Sequence, residues 1–207
     1  MVFEKDYIKR LIESMGDFFR RLGDKMDDAE CDRLLDKRCR EDCGLSLREA
    51  EALTNESLAL MERQESLLSL AEILRFRAER SVHTAAEKEA LREKALSLLL
   101  LLSADDNVCE ATADTAYGLM RQVMDCLTAE QMLACASFFR AGSRYDLMDN
   151  AVFFLWDTLP REGRDAARER VCAMYRDVLR LTDSDLASGG LTRQEAEDSL
   201  LAVTRAI

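Results

Sequence analysis

One histidine, His83, is present in the whole chain, and that single imidazole narrows the chemistry available. A zinc hydrolase built on paired histidines is excluded. So is a carboxylate di-iron bundle, which needs two Glu-x-x-His motifs. A serine or cysteine nucleophile with a histidine base would have to use His83. That residue lies in Arg80-Ser-Val-His-Thr84, just ahead of a helix start, and reads as a loop histidine. Three of the seven cysteines cluster as Cys31, Cys39 and Cys43. They offer thiolates without a fourth nearby ligand and without paired Cys-x-x-Cys knuckles, so no metal is assigned to them. Cys109, Cys126, Cys135 and Cys172 fall at helical positions and read as small buried hydrophobes. Neither Gly-x-x-x-x-Gly-Lys nor Gly-x-Gly-x-x-Gly occurs, which removes the familiar phosphate-cradling loops. The acidic pairs Asp105-Asp106 and Asp183-Ser-Asp185 read as helix caps. No catalytic, cofactor-binding or metal-binding residue is assigned, and the expectation is a protein that is not an enzyme.

The elements that would position any site are helices. In 207 residues there are one proline, Pro160, and eight glycines. Strand-rich folds need many turns, and turns consume both residue types. Four tetrapeptides have the form of a capping box, in which a hydroxyl and a carboxylate or amide three residues on satisfy each other's backbone N–H. They are Ser46-Leu-Arg-Glu49, Thr84-Ala-Ala-Glu87, Thr128-Ala-Glu-Gln131 and Thr192-Arg-Gln-Glu195, and an apolar-periodic segment follows each. The spacing predicts helices over about 86–103, 107–126, 129–141, 145–158, 161–181 and 193–206, and one helix or two over 46–80. No strand candidate emerges. At the N-terminus Phe3, Tyr7, Leu11, Met15, Phe18 and Leu22 make an apolar stripe at helical period. Residues 23–45 read as a charged linker with a short helix near Leu34 and Leu35. The division expected is 1–45, amphipathic helix and linker, and 46–207, a helical domain.

Residues 129–160, AEQMLACASFFRAGSRYDLMDNAVFFLWDTLP, resemble one tetratricopeptide repeat without gaps. Ala136 stands at the small position of the first helix. Gly142, Tyr145 and Asp146 stand at the turn, and Pro160 at the closing proline. Met132, Cys135, Met148 and Leu155 depart from the pattern, with Met132 in place of a Trp. The pairs at about 86–126 and 161–206 share only the outline. The resemblance implies an all-α fold of antiparallel hairpins stacked as a short solenoid, with the N-terminal helix capping it or pairing with a second copy. It also implies a partner groove lined by Glu130, Leu133, Ser137, Arg140 and Ala141, without the Lys-and-Asn clamp some members use for a peptide carboxylate. The opening Phe-Glu-Lys-Asp-Tyr-Ile-Lys-Arg-Leu-Ile resembles the start of a family of uncharacterised bacterial proteins, which implies no activity.

Charge restricts the partners. The net charge is −11, and a negative field repels phosphate backbones, so nucleic acid is not expected. The longest leucine run, Leu98 to Leu102, is far short of a membrane span. Acids are mixed with bases on the N-terminal helix, which argues against docking on a membrane. The charged start without an apolar leader, together with an odd number of cysteines, points to a reducing cytoplasm. Two functions remain. The first is a protein-interaction or self-association module, with Phe3, Tyr7, Leu11, Met15, Phe18 and Leu22 as a possible homodimer face. The second is a small-molecule-sensing helical bundle with Met120, Met124, Phe138, Phe139 and Tyr175 around its pocket. Phe153, Phe154 and Trp156 are the type of residue that anchors interfaces, but they read first as core.

Overall fold

A computed structural model describes residues 2–23, 27–54, 57, 63–80, 82–102 and 106–205, without the side chains of 2–6 and 106–108. The described residues are all-helical. In chain order the helices are α1 (Val2–Leu22), α2 (Asp28–Cys43), α3 (Leu47–Ala52), α4 (Gln64–Ala78), α5 (Ala85–Leu100), α6 (Asp106–Val123), α7 (Ala129–Ala141), α8 (Tyr145–Thr158), α9 (Arg161–Val178), α10 (Asp183–Ser188) and α11 (Arg193–Arg205), with a 3-10 turn at Met124–Cys126. No described helix is long and apolar enough to cross a membrane. The chain divides into two compact units, residues 1–104 with 118–123, and residues 105–117 with 124–207.

All four capping boxes form. Ser46, Thr84 and Thr128 each accept from the backbone N–H three residues on, and each backbone N–H donates back to the side chain of Glu49, Glu87 or Gln131. Thr192 N–H donates to Glu195 Oε2 at 2.8 Å, and Glu195 N–H to Thr192 Oγ1 at 3.2 Å. Asp183 and Asp185 do not cap α10. They occupy its first turn, and Thr182 is the cap. Asp105 lies outside the described residues.

These caps set a pH dependence. Hydrogen bonds from the Ser46 hydroxyl, the Thr84 amide and the Thr192 hydroxyl hold the carboxyls of Glu49, Glu87 and Glu195 below the usual range. Asp36 is lowered too, by Arg40 and then by the Leu47 amide. Each group's folded pKa is below its unfolded one, so the unfolded chain binds more protons between the two. Their stabilisation is present above the unfolded carboxylate range and is lost as the pH falls through the folded pKa values. Thermal melts followed by circular dichroism should be flat from about pH 7 to 5 and fall below about 4.5. A triple variant, Ser46→Ala, Thr84→Ala and Thr192→Ala, should melt lower at neutral pH and lose less on acidification. An unchanged acid slope in that variant would remove the caps as its cause.

In the first unit α4 is the hub. Residues Ser66 to Leu74 are buried without interruption, as expected of a helix surrounded by neighbours. It packs on α1, α2 and α5. Residues 46–80 are not one rod, because α3 ends at Leu53 in extended backbone. The helical pairing also differs from expectation, since α5 forms its hairpin with the preceding α4. The expected linker is largely α2, whose buried Cys31, Leu35 and Cys39 recur every fourth residue. Ser66 Oγ donates to the Asp42 carbonyl at 2.6 Å, and Arg77 bridges Asp32 at 2.8 Å and Glu51 at 2.6 Å. Lys94 donates to the carbonyls of Ala50, Glu51 and Leu53 at the end of α3, satisfying carbonyls that a helix end leaves free.

In the second unit α7 and α8 form an antiparallel hairpin. α9 packs on both, and α11 on α8 and α9. Phe138, Phe139, Met148, Val171, Tyr175 and Val178 form its fully buried centre. The loop after α10 rests on the start of α8, where Asp146 N–H donates to the Gly189 carbonyl at 3.0 Å.

Candidate functional site

The residues expected to line a groove on α7 lie on one face but are largely engaged. Glu130 takes a two-pronged ion pair from Arg170 at 2.7 and 2.8 Å. Arg140 reaches Asp177 at 2.7 Å. Leu133 is buried, and Ser137 Oγ donates to its carbonyl at 2.9 Å. Ala141 is half-buried. α9 holds both partner residues, so this face meets a neighbouring helix of its own unit.

The N-terminal stripe is split. Met15 and Leu22 are buried, with Ile8 and Phe19 beside them. Phe19 stacks on Phe76 of α4, ring centroids 4.6 Å apart. Phe18 is half-buried, with the Arg38 guanidinium 5.7 Å over its ring. Leu11 is half-buried and Tyr7 exposed. The side chain of Phe3 lies outside the described residues. Of the residues expected around a ligand pocket, Met120, Phe138, Phe139 and Tyr175 are core and Met124 is half-buried in the 3-10 turn.

His83 is half-buried, its Nδ1 4.0 Å from Glu87 Oε2. No disulfide joins any of the seven cysteines among the described residues. Burial pushes Cys31 up and Cys135 up to about 12, which keeps both protonated and poor nucleophiles. A hydrogen bond from Cys43 lowers Cys39, but Cys39 is buried. Among the described residues no cluster of three or more His, Cys, Asp or Glu is placed to hold a metal ion.

The concave surface with a distinct chemical character lies between α8 and α11. On α8, Asp149, Phe153, Trp156 and Asp157 are spaced i, i+4, i+7, i+8, and share one face. On α11, Glu195, Asp198, Ser199, Ala202 and Val203 do the same. The helices pack together, and their stripes enclose two adjoining hollows. One, of about 130 Å³, is walled by Val152, Phe153, Trp156, Ala202 and Val203, with Tyr175, Asp149, Asp157 and Ser199 completing it. The other, of about 330 Å³, is polar and lined by Asp146, Asp149, Asn150, Gly190, Leu191, Glu195, Asp198 and Ser199. Asp149 and Ser199 border both.

Phe153 is 61% exposed, contrary to the core reading of its apolar run. The half-buried Trp156 carries an indole N–H that is buried without a hydrogen-bond partner, a state worth about 1–3 kcal/mol if relieved. Tyr175 Oη donates to Asp149 Oδ1 at 2.6 Å. Burial first, and then the charge of Asp149, push the Tyr175 phenol up, so it stays a donor. Asp146 is ion-paired with Arg144 at 3.1 Å. Among the described residues Asp149, Asp157, Glu195 and Asp198 have no Lys or Arg at ion-pair distance. The groove is therefore an apolar slot edged by uncompensated negative charge.

Comparison with protein-family models, curated proteins and solved structures found no match.

Proposed function

We propose that the chain is a non-enzymatic docking module that receives a segment of a protein partner in the groove between α8 and α11. One observation carries this reading. A large aromatic side chain, Phe153, stands mostly in solvent at the lip of an apolar hollow, and aromatic residues at such hollows are typical binding anchors. The tetratricopeptide-like reading is part of the proposal and applies to α7–α11. It is supported by the α7–α8 hairpin turning at 142–144, by buried Ala136 and Tyr145, and by Pro160 as the residue preceding α9. The docking face proposed is not the α7 face, since Glu130 and Arg140 already serve α9.

The test is site-specific photo-crosslinking in cells, with p-benzoylphenylalanine in place of Phe153. A discrete protein adduct is expected at that position and not at Glu169, which is exposed on α9. Adding Ala202→Trp should abolish the adduct, because Ala202 is an exposed wall of the 130 Å³ hollow and a large ring there fills it. No adduct, or equal adducts at both sites, would sink the reading.

A further inference from the structure

We infer that the segment docking in this groove is a basic amphipathic helix in which one aliphatic side chain is flanked on both sides by Lys or Arg. The inference rests on the docking reading above and adds the chemistry of the partner.

The order of groups along α8 carries it. Of the α8 residues that line the hollow, Asp149 comes first, Phe153 lies about one turn on, and Trp156 and Asp157 stand side by side about two turns on. Asp149 and Asp157 are eight residues apart, about 12 Å along the helix axis. A second helix laid along the groove matches that distance when cations are separated by seven or eight residues. Its apolar residue then falls midway, at i+3 or i+4. A hollow of about 130 Å³ has room for one aliphatic side chain and not for a longer apolar stripe.

Charge selects the sign of the partner. Asp198 and Glu195 on α11 add to the Asp149 end, and among the described residues neither these three nor Asp157 has a Lys or Arg partner. A cation placed there meets Asp149, Glu195 and Asp198, which no Lys or Arg of the described residues pairs, and complementary fields of this type speed association and exclude wrong partners. A second copy of this chain, at net charge −11, brings charge of the wrong sign on average. That favours a different, basic protein as the occupant.

The experiment is fluorescence anisotropy on the purified full chain. The probe is a labelled helical peptide with the repeat Lys-x-x-x-Leu-x-x-x-Lys on one face, in an Ala/Gln background. Two companions replace Lys with Glu, or Leu with Gln. The basic amphipathic peptide should bind, and the two companions should bind at least tenfold more weakly. Its affinity should fall several-fold between about 50 and 300 mM salt, as screening of exposed charges requires.

Asp157→Lys and Asp198→Lys should each weaken binding about two- to fivefold, as expected for exposed charge pairs. Phe153→Ser should weaken it about tenfold. All three residues are exposed, so circular dichroism should show the fold unchanged. Equal binding of the Leu→Gln peptide would reduce the interaction to diffuse charge attraction and overturn the inference. So would binding untouched by the three variants, or preference for the Glu peptide. If the crosslink at position 153 forms but the basic peptide does not bind, the groove docks a segment of other chemistry, and only this inference fails. If neither occurs, the docking reading fails with it.

Discussion

Gly142→Ala is expected to destabilise the second unit by about 3 kcal/mol, read as a lowered urea midpoint with an unchanged slope. Gly142 ends α7 with φ of −78°, which any residue adopts. On backbone grounds alone, alanine there should stabilise by about 0.4–1 kcal/mol, through the entropy of the unfolded chain. Packing reverses the sign. A Cβ at this position would lie 2.7 Å from the Cys109 carbonyl carbon, 2.8 Å from the Glu110 nitrogen and 2.9 Å from the Cys109 oxygen. All three are backbone atoms of α6, which cannot rotate aside as a side chain can, so the helices must separate. Overpacking costs typically 1–3 kcal/mol and more where the backbone must move. Gly16, inside α1, where a Cβ would meet no described atom within 4 Å beyond its chain neighbours and its own helix backbone, is the control. There alanine should stabilise by up to about 1 kcal/mol. A neutral or stabilising Gly142→Ala would show that the close approach to α6 is not what the position requires.

Phe19→Ala is expected to lower stability by about 3–4 kcal/mol, the range for removing a buried phenylalanine. The ring is 8% exposed and lies parallel on Phe76, 13° between planes. Pairing of this type is worth about 0.5–1.5 kcal/mol beyond the area buried. Phe153→Ala is the contrasting substitution and should stay within about 0.5 kcal/mol of the parent. A double-mutant cycle of Phe19→Ala and Phe76→Ala, measured in urea, separates the stacking from the cavity. A loss below about 1 kcal/mol for Phe19→Ala would mean that α1 is not part of the first unit's core.

Helix starts were readable from the chain because a capping box is a local contract between residues three apart. Ser46, Thr84, Thr128 and Thr192 all honour it. α2 is legible only in part, as a short helix near Leu34 and Leu35, because its buried face is written with two cysteines and one leucine among charges. α10 is six residues long, too short for periodicity to mark. The pairing of α5 with α4 instead of its successor depends on which faces are covered, and period alone identifies a face without naming its partner.

The same limit explains the site. Glu130 and Arg140 look free in sequence, since Arg170 and Asp177, their partners, are 40 and 37 residues away. Phe153 and Trp156 look like core because they sit in an apolar run. Only the placement of α11 beside α8 shows that Phe153 stays outside and that acids from two helices gather around it.

Gly189 joins α10 to the loop before α11 and is itself buried, its Cα lodged against the Tyr145 ring and the Ser143 carbonyl, with 2.3 and 2.6 Å left to a Cβ. Over generations of mutation, surface connections drift freely in length and composition. This one is closed to drift. Any side chain or inserted residue there would lift the loop from the start of α8 and carry one edge of the acidic hollow with it. Descendants of this sequence can exchange Thr84 or Thr192 for another capping residue at small cost, but they inherit the glycine and the loop length together or lose the groove.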